Sequence, residues 1–330
     1  MLAYASVTGD LAGLLLNFIQ QQGLSMPNVV AELNKYGATS RMKYTDWWRY
    51  LQLIRDEMDQ PEVGLLIGQA VQTSDAGVIG YLTASCDSLM EALANFQRYQ
   101  KLLYEGDLAK IEMQGDQIRF YWPYDYGYST KESDEVLISG LVTFFRQLLN
   151  DDSIKPISID FIHSQPERSD LYDQVFQCEV NFAQQNLAVV VSSEYINLKL
   201  PKPDQGLNML LQQQADSLMQ GLSQQDDYLQ AVRMTILKLL PLNQANLEQA
   251  AKHLNTSARS FNRRLSEKKT SFKELLAEVR YHQAQEYLRQ NKMTHSEIAL
   301  LLGYSEQSAF SRAFKQWAGQ TPLQYQKAVL

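Results

Sequence analysis

Apolar positions along the chain change their spacing, and the changes mark the elements. Over residues 1–105 they recur mostly at helical spacing. The longest apolar run, Leu11–Ile19, is broken by Asn17 and follows Asp10, so it reads as a buried helix, too short to span a membrane. Ser88 and Glu91 form a capping box ahead of Leu89, Leu93, Phe96 and Leu103, which opens another helix. Beyond residue 110 the period drops to two. Ile118, Phe120 and Trp122 alternate with Arg119 and Tyr121, after a Gly115-Asp116 turn and an Ile111/Met113 run, and this predicts a hairpin. Asp134–Leu149 returns to helical spacing. Ile157, Ile159 and Phe161 predict a strand over Ile157–Ile162, and Val189–Val191 a short one. Residues 1–200 therefore predict an α+β domain.

Pro201-Lys202-Pro203-Asp204 breaks both helix and strand. The following Gln-rich segment, 201–227 with its helix at Leu207–Leu222, is a linker. Its stripe of Leu207, Leu211, Ala215, Leu218 and Leu222 has two readings, packing on its own domain or pairing two chains. From residue 228 to 330 only helical patterns occur. Asn246 with Gln249 caps a helix through Leu247, Ala250, Ala251 and Leu254. After the polar turn Asn255-Thr256-Ser257, Ser257 caps a second helix, Ala258–Leu265. Phe261 and Leu265 face its core, while Arg259, Asn262 and Arg263 face outward.

The same arrangement returns about 49 residues later. Thr294 and Glu297 form a capping box for a helix through Ile298, Ala299, Leu301 and Leu302, which Gly303 ends. Ser305 then caps a helix with Ala309, Phe310, Ala313 and Phe314 inward and Glu306, Gln307, Ser308, Ser311 and Arg312 outward. A striped helix from Phe272 to about Arg289 joins the two units and would place both outer helices in successive major grooves, roughly 34 Å apart. Arginine pairs bidentately with guanine and asparagine with adenine, so these faces suit base reading.

Charge sharpens this picture. The 330-residue chain carries a net −7, which taken alone argues against a nucleic-acid partner. Residues 223–330, however, hold 15 Lys+Arg against 9 Asp+Glu, a balance of +6, and residues 1–222 hold the remaining 15 against 28, a balance of −13. Any polyanion would be held by the last third. The two cysteines, Cys86 and Cys178, are expected to be reduced, and nothing at the N-terminus resembles a signal peptide, so the expected compartment is the cytoplasm.

The segment Asn246–Gln326 resembles the AraC/XylS family of transcription regulators. The resemblance is carried by Ile298-Ala299, by the run from Leu302-Gly303-Tyr304-Ser305-Glu306-Gln307-Ser308 through Ala309-Phe310-Ser311-Arg312-Ala313-Phe314-Lys315, and by Gly319-Gln320-Thr321-Pro322 with Tyr325. The first unit matches through Ser257-Ala258-Arg259-Ser260-Phe261-Asn262-Arg263-Arg264-Leu265, Ser271-Phe272 and Arg280. It implies base contacts from Arg263 and Arg312, helped by Asn262 and Gln307. The rest of the implied DNA interface is Ser257, Arg259, Arg264, Ser305, Glu306, Ser308, Ser311 and Lys315. Two departures are Thr270, where the family usually has glycine, and Gln326, in place of an arginine that would touch phosphate.

Residues 1–200 more weakly resemble the ligand-binding domain of the ornithine-utilisation-regulator branch, of arabinose-binding-domain type. The matching stretches are Val63-Gly64-Leu65-Leu66-Ile67-Gly68, Gly77-Val78-Ile79-Gly80-Tyr81, and Leu89 with Glu91-Ala92-Leu93. This implies a small-molecule effector. Aromatic side chains abound here, and Tyr81, Phe96, Tyr99, Tyr104, Trp122 and His163 are the candidate effector contacts. Phe120 and Trp122 share one strand face and read first as core. The acidic balance would suit a cationic effector, and a solvated acidic surface explains it equally well.

Catalytic signatures are missing: no zinc-ligand spacing, phosphate loop, GxSxG elbow or dinucleotide fingerprint occurs. No cofactor or metal is called for. The expectation is a bacterial DNA-binding regulator, activating rather than repressing, with double-stranded promoter DNA, a small-molecule effector and RNA polymerase as partners, a homodimer in view, and no membrane. An enzyme or sensor domain fused to a DNA-binding module, or a protein–protein adaptor, stays open as an alternative.

Overall fold

The computed structural model describes residues 2, 5–37, 40–124, 126–223, 227–268 and 270–329, so positions 224–226 of the expected linker lie outside the described residues. The chain divides into two compact units, Leu2–Leu222 and Ser223–Leu330. The first is α+β and the second all-α.

The first unit opens with β1 (Ser6–Thr8), α1 (Leu11–Gln21), α2 (Pro27–Leu33), β2 (Arg41–Lys43) and α3 (Tyr44–Met58), followed by α4 (Val63–Gln69), α5 (Gly77–Ala84) and α6 (Leu89–Tyr99). β1 and β2 pair antiparallel, Val7 opposite Met42. Each has only three residues, too few to show a period of two, so the sequence predicted helices alone here. At α6 the Ser88 hydroxyl accepts from Glu91 N as expected. The Glu91 carboxylate, however, accepts from Asp87 N at 2.9 Å, so the box closes one residue early.

A five-stranded sheet follows, interleaved with helices: β3 (Lys110–Gln114), β4 (Gln117–Trp122), α7 (Lys131–Leu149), β5 (Ser158–Asp160), α8 (Asp170–Phe176), β6 (Glu179–Asn181) and β7 (Leu187–Ser192). The strand order is β3-β4-β7-β5-β6, antiparallel except for the β5–β6 pair. β4 buries Ile118, Phe120 and Trp122 on one face, the alternation expected of it. β7 lies inside the sheet, and Leu187 to Val190 are all buried, so it shows no alternation.

α7 holds this unit together through its contact with α4. A Cβ at Gly64 would fall 2.3 Å from the Glu132 carbonyl oxygen, and one at Gly68 would fall 2.6 Å from Ser139 Cβ. Only glycine permits so close an approach. Ser139 Oγ uses it to donate to the Leu65 carbonyl at 2.8 Å. The last helix of this unit, α9 (Gln205–Ser223), buries Asn208 and Ala215. Asn208 Nδ2 donates to Ser85 Oγ at 3.1 Å, and Ala215 packs with Ile79, Leu82 and Tyr99. From its stripe Ala215 and Leu211 pack on the first unit, while Leu207 and its neighbours Met209 and Leu210 stay exposed.

The second unit contains α10 (Asp227–Leu239), α11 (Leu247–His253), α12 (Ala258–Glu267), α13 (Phe272–Gln290), α14 (His295–Leu301), α15 (Gln307–Ala318) and α16 (Pro322–Val329). The first turns of α13 bury Phe272, Leu275 and Val279, with Phe272 against Phe261 of α12. Its later turns bury Ala284 and Leu288 in a second cluster with Ile298, Ala299, Leu302, Phe310 and Phe314. One helix thus serves two small cores. Among the described residues, no helix is long and apolar enough to cross a membrane.

Replacing Gly64 by alanine drives a methyl group into the backbone of α7. The expected cost is about 1–3 kcal/mol of stability in the first unit. Urea denaturation followed by tryptophan fluorescence reads this, since Trp47, Trp48 and Trp122 all lie in that unit.

Candidate nucleic-acid interface and ligand cavity

In the second unit two helix pairs, α11–α12 and α14–α15, share one plan built from local caps. The Asn246 side chain accepts from Gln249 N at 2.9 Å and Ser257 Oγ from Ser260 N at 3.2 Å, as the sequence predicts. Asn255, at φ +50°, makes the left-handed turn between α11 and α12. Phe261 and Leu265 are fully buried, which turns Arg259, Asn262 and Arg263 outward. The Arg263 side chain is 72% exposed and its Nε lies 3.6 Å from Glu267 Oε1, one turn on. Arg264, also exposed, sits apart, with its guanidinium over the Tyr228 ring of α10 at 5.6 Å.

The second pair follows the plan with one change. Thr294 and Glu297 form the reciprocal capping box, and Gly303, at φ +71°, ends α14. The helix expected to start at Ser305 starts one residue later: Glu306 is the N-cap, extended at φ −150°, with no side-chain cap bond. The reason is turn length. Leu254–Ser257 separates α11 from α12, whereas Leu302–Glu306, one residue longer, separates α14 from α15. Ser305, exposed, falls inside this longer turn. On α15, Phe310 and Phe314 are buried, Ser311 is half-buried, and Gln307, Ser308, Arg312 and Lys315 are exposed. Ser308 Oγ donates to Glu306, whose Oε1 lies 3.7 Å from Arg312 Nη2. Ser296 Oγ of α14 donates to Gln307 Oε1 at 2.7 Å, which steadies the start of α15.

Arg263 and Arg312 thus each stand beside a glutamate of their own helix or its cap. Both pairs are largely exposed, where water screens them and a partner of higher negative charge density displaces the carboxylate easily.

Arg280 of α13 ties the second pair to the joining helix. Its Nε donates to the Leu302 carbonyl at 2.8 Å and its Nη2 to the Gly303 carbonyl at 3.2 Å, closing the end of α14, while the guanidinium lies 4.5 Å over the Tyr304 ring. At Thr270 the closure of α12 is made by its backbone N–H to the Leu265 carbonyl, at 3.1 Å. Its hydroxyl joins the next capping box through Glu274. Gln326 links His295 Nε2 (3.0 Å) and Asn291 Oδ1 (2.9 Å), so its side chain ties α16 to both ends of the α13–α14 turn.

The first unit holds a half-open cavity of about 200 Å³ between α1, α3, α6, β4 and α7. Of the candidate effector residues, Phe96, Tyr104 and Trp122 line it and the other three do not. Tyr81 is 48% exposed on α5, the Tyr99 hydroxyl donates to Asp216 Oδ1 of α9 at 2.8 Å, and His163 sits in a ring cluster with Phe161, Tyr172 and Phe182. Tyr124, one of the aromatic residues of this domain noted in the sequence, lines it too, while Trp47, Asp107 and Asp134 were missed. A signal for Asp134 was present. It heads a face of α7 continued by Leu137, Leu141, Phe144 and Leu148, an acid on an otherwise apolar stripe.

Burial pushes the Asp134 carboxyl up to about 8, helped by the nearby charges of Glu135 and Glu132 and opposed by the Ser129 hydroxyl. Burial also pushes Glu135 up to about 7, against the pull of Lys131 and a hydrogen bond from Tyr172. Lys131 Nζ lies 3.5 Å from Glu135 and 3.7 Å from Glu62, both buried.

Comparison with known proteins bears on both units. Residues 33–200, more than half of the chain, match the family described as the arabinose-binding domain of AraC transcription regulator, N-terminal. Residues 250–328 match a helix-turn-helix domain. The chain is similar to the ornithine utilization regulator of Pseudomonas aeruginosa, 28% identical over 291 residues that cover 87% of this chain and 85% of that protein. It is also similar to the HTH-type transcriptional regulator VirS of Mycobacterium tuberculosis, 25% identical over 292 residues, covering 86% and 84%. The crystal structure of the transcriptional regulator CdpR from Pseudomonas aeruginosa aligns over 95% of this chain and 96% of that one, with 21% identity and a TM-score of 0.45.

Two outcomes follow from this geometry. Arg280→Met leaves two carbonyls without their charged donor and should cost the second unit about 1.5–3 kcal/mol, read as a lower thermal midpoint. A carboxyl whose folded value is raised binds its proton more tightly folded than unfolded, so its ionisation destabilises the fold. The first unit should therefore lose stability as the pH rises from roughly 5 to 8, and Asp134→Asn should flatten that slope in denaturation midpoints taken across the range.

Proposed function

Because the chain belongs to the AraC family of transcription regulators, we propose that α12 and α15 read promoter DNA together while a small molecule in the first unit controls how they do so. That the chain is a DNA-binding regulator follows from its family and relatives. The two-groove reading rests on the pair of outward faces joined by α13. Arg259, Asn262 and Arg263 stand on one and Gln307, Ser308 and Arg312 on the other. At 1.5 Å per residue, the 19 residues of α13 span roughly 28 Å, close to one turn of the double helix.

In this reading Arg263 and Arg312 pair with bases, Asn262 and Gln307 assist, and Ser257, Arg259, Ser305, Ser308, Ser311 and Lys315 lie along the phosphates. Arg264 is directed toward Tyr228 and serves the edge of the interface at most. Glu306 acts by releasing Arg312 when DNA arrives. The cavity of the first unit holds the effector. A ligand there alters regulation only by favouring one arrangement of the protein over another. Activation through RNA polymerase is the expected sign, the cytoplasm the expected compartment, and a homodimer, testable by sedimentation equilibrium, belongs to the same reading.

Genome-wide footprinting at near-physiological salt tests the DNA reading. Sharp sites carrying two short motifs about one helical turn apart are expected. Arg312→Ala should cost about 1–3 kcal/mol and relax the preference at one base position. An equal loss on every DNA sequence would assign Arg312 to phosphate instead, and diffuse binding by the wild type would remove the two-groove reading.

A further inference from the structure

The cavity of the first unit is built to choose its occupant by charge. At about 200 Å³ it exceeds the ~150 Å³ that accommodates benzene, so it has room for one ring and a short arm. Trp47, Phe96, Trp122 and Phe144 give it aromatic and apolar walls. Most of its polar atoms already have partners. Trp47 Nε1 donates to Ser133 Oγ at 3.0 Å, Trp122 Nε1 to Tyr104 Oη at 3.0 Å, and Tyr104 Oη to Gln100 Oε1 at 2.9 Å.

Two groups remain for a ligand. Asp134 keeps only 7% of its surface and is hydrogen-bonded, among the described residues, by Ser129 alone, and the Tyr124 hydroxyl is buried beside the Leu187 backbone. Among the described residues no lysine, arginine or histidine lines the cavity and no salt bridge to Asp134 occurs. The groups that bear on Asp134 itself are neutral or acidic, Ser129 before α7 with Glu132 and Glu135 on α7, while the cations Arg41 and Lys131 act on Tyr44 and Glu135. An anionic group in this space would be buried without a counterion, at a prohibitive cost, whereas an ammonium would find one.

We propose that this cavity binds a primary amine carried on an aromatic body, its ammonium paired with the Asp134 carboxylate and within reach of the Tyr124 hydroxyl. The proposal rests on the reading of the first unit as the effector unit and narrows it. An α-amino acid such as ornithine does not fit, because its own carboxylate would meet no cation here. Binding has a defined proton balance. Asp134 is largely protonated in the empty cavity at neutral pH, the ligand arrives as an ammonium, and pairing sends the Asp134 proton to solvent.

Isothermal titration calorimetry of the full chain at about pH 7, in buffers of different ionisation heat, tests this with phenethylamine and tryptamine against 2-phenylethanol, 3-phenylpropionate and ornithine. The expected result is binding of at least one of the amines with release of nearly one proton, and affinity at least about thirtyfold weaker for the alcohol, the acid and ornithine. Asp134→Asn should lose the amine by a similar factor, together with the proton release, with no drop in thermal midpoint. Tyr124→Phe should weaken binding severalfold and likewise leave the midpoint in place. Equal binding of the alcohol or the acid, unchanged affinity in Asp134→Asn, or no heat from either amine would overturn the proposal. Footprints of the wild type on DNA are read separately, so loss of amine binding with sharp footprints would remove this inference and leave the DNA reading intact.

Discussion

Everything in the first unit is arranged around the closeness of α4 and α7. Gly64 and Gly68 stand one turn apart on α4, and any side chain at either would collide with α7. With the two backbones in contact, Ser139 can bond across to Leu65, and α7 is fixed in rotation as well as position. Its free face, from Asp134 to Leu148, then becomes a wall of the cavity. The opening of α7 carries Glu132 and Asp134, where the positive end of the helix dipole offsets part of the cost of burying carboxyls. Lys131 does the same for Glu135 and Glu62.

The second unit has no such single contact and relies on many small ones. α11 and α14 have seven residues each, too short to persist alone in water. They are held by caps at Asn246 and Thr294 and by two small cores, one around Phe261 and Phe272 and the other around Phe310 and Phe314. Arg280 supplies what the local sequence of α14 lacks, donors for the last carbonyls, and does so from the helix that both cores share. The outward arginines are therefore positioned by apolar residues on the opposite side of the same helices. Phe261 and Leu265 set the rotation of α12, and Phe310 and Phe314 that of α15.

How much of this could be read from the chain differs between the units for a physical reason. Caps, left-handed glycines and helical stripes are local, and the second unit is made of little else, so its helices and outward faces were legible. Ser305 shows the limit. Ser305 and Glu306 can each precede a helix, and the choice depends on a turn length that only the packed pair of helices determines. In the first unit, β1, β2 and β6 have three residues each and β7 is buried from Leu187 to Val190, so a period of two does not show. The cavity was only partly legible. Aromatic residue type pointed to Phe96, Tyr104 and Trp122 and equally to Tyr81, Tyr99 and His163, which lie elsewhere. Asp134 was visible as an acid on an apolar stripe, a clue of position rather than of type.

The extra residue between α14 and α15 makes the two halves of the second unit unlike. α12 begins under a serine hydroxyl and α15 beneath a glutamate. A reader assembled from two unlike halves in a fixed order has a head and a tail, which a symmetric pair of identical readers does not. In the proposed two-groove reading the site of a single chain inherits that asymmetry, and only two chains together could match a palindrome. Inverting such a target in place on a chromosome would keep every base pair and reverse the direction in which the bound molecule faces along the genome.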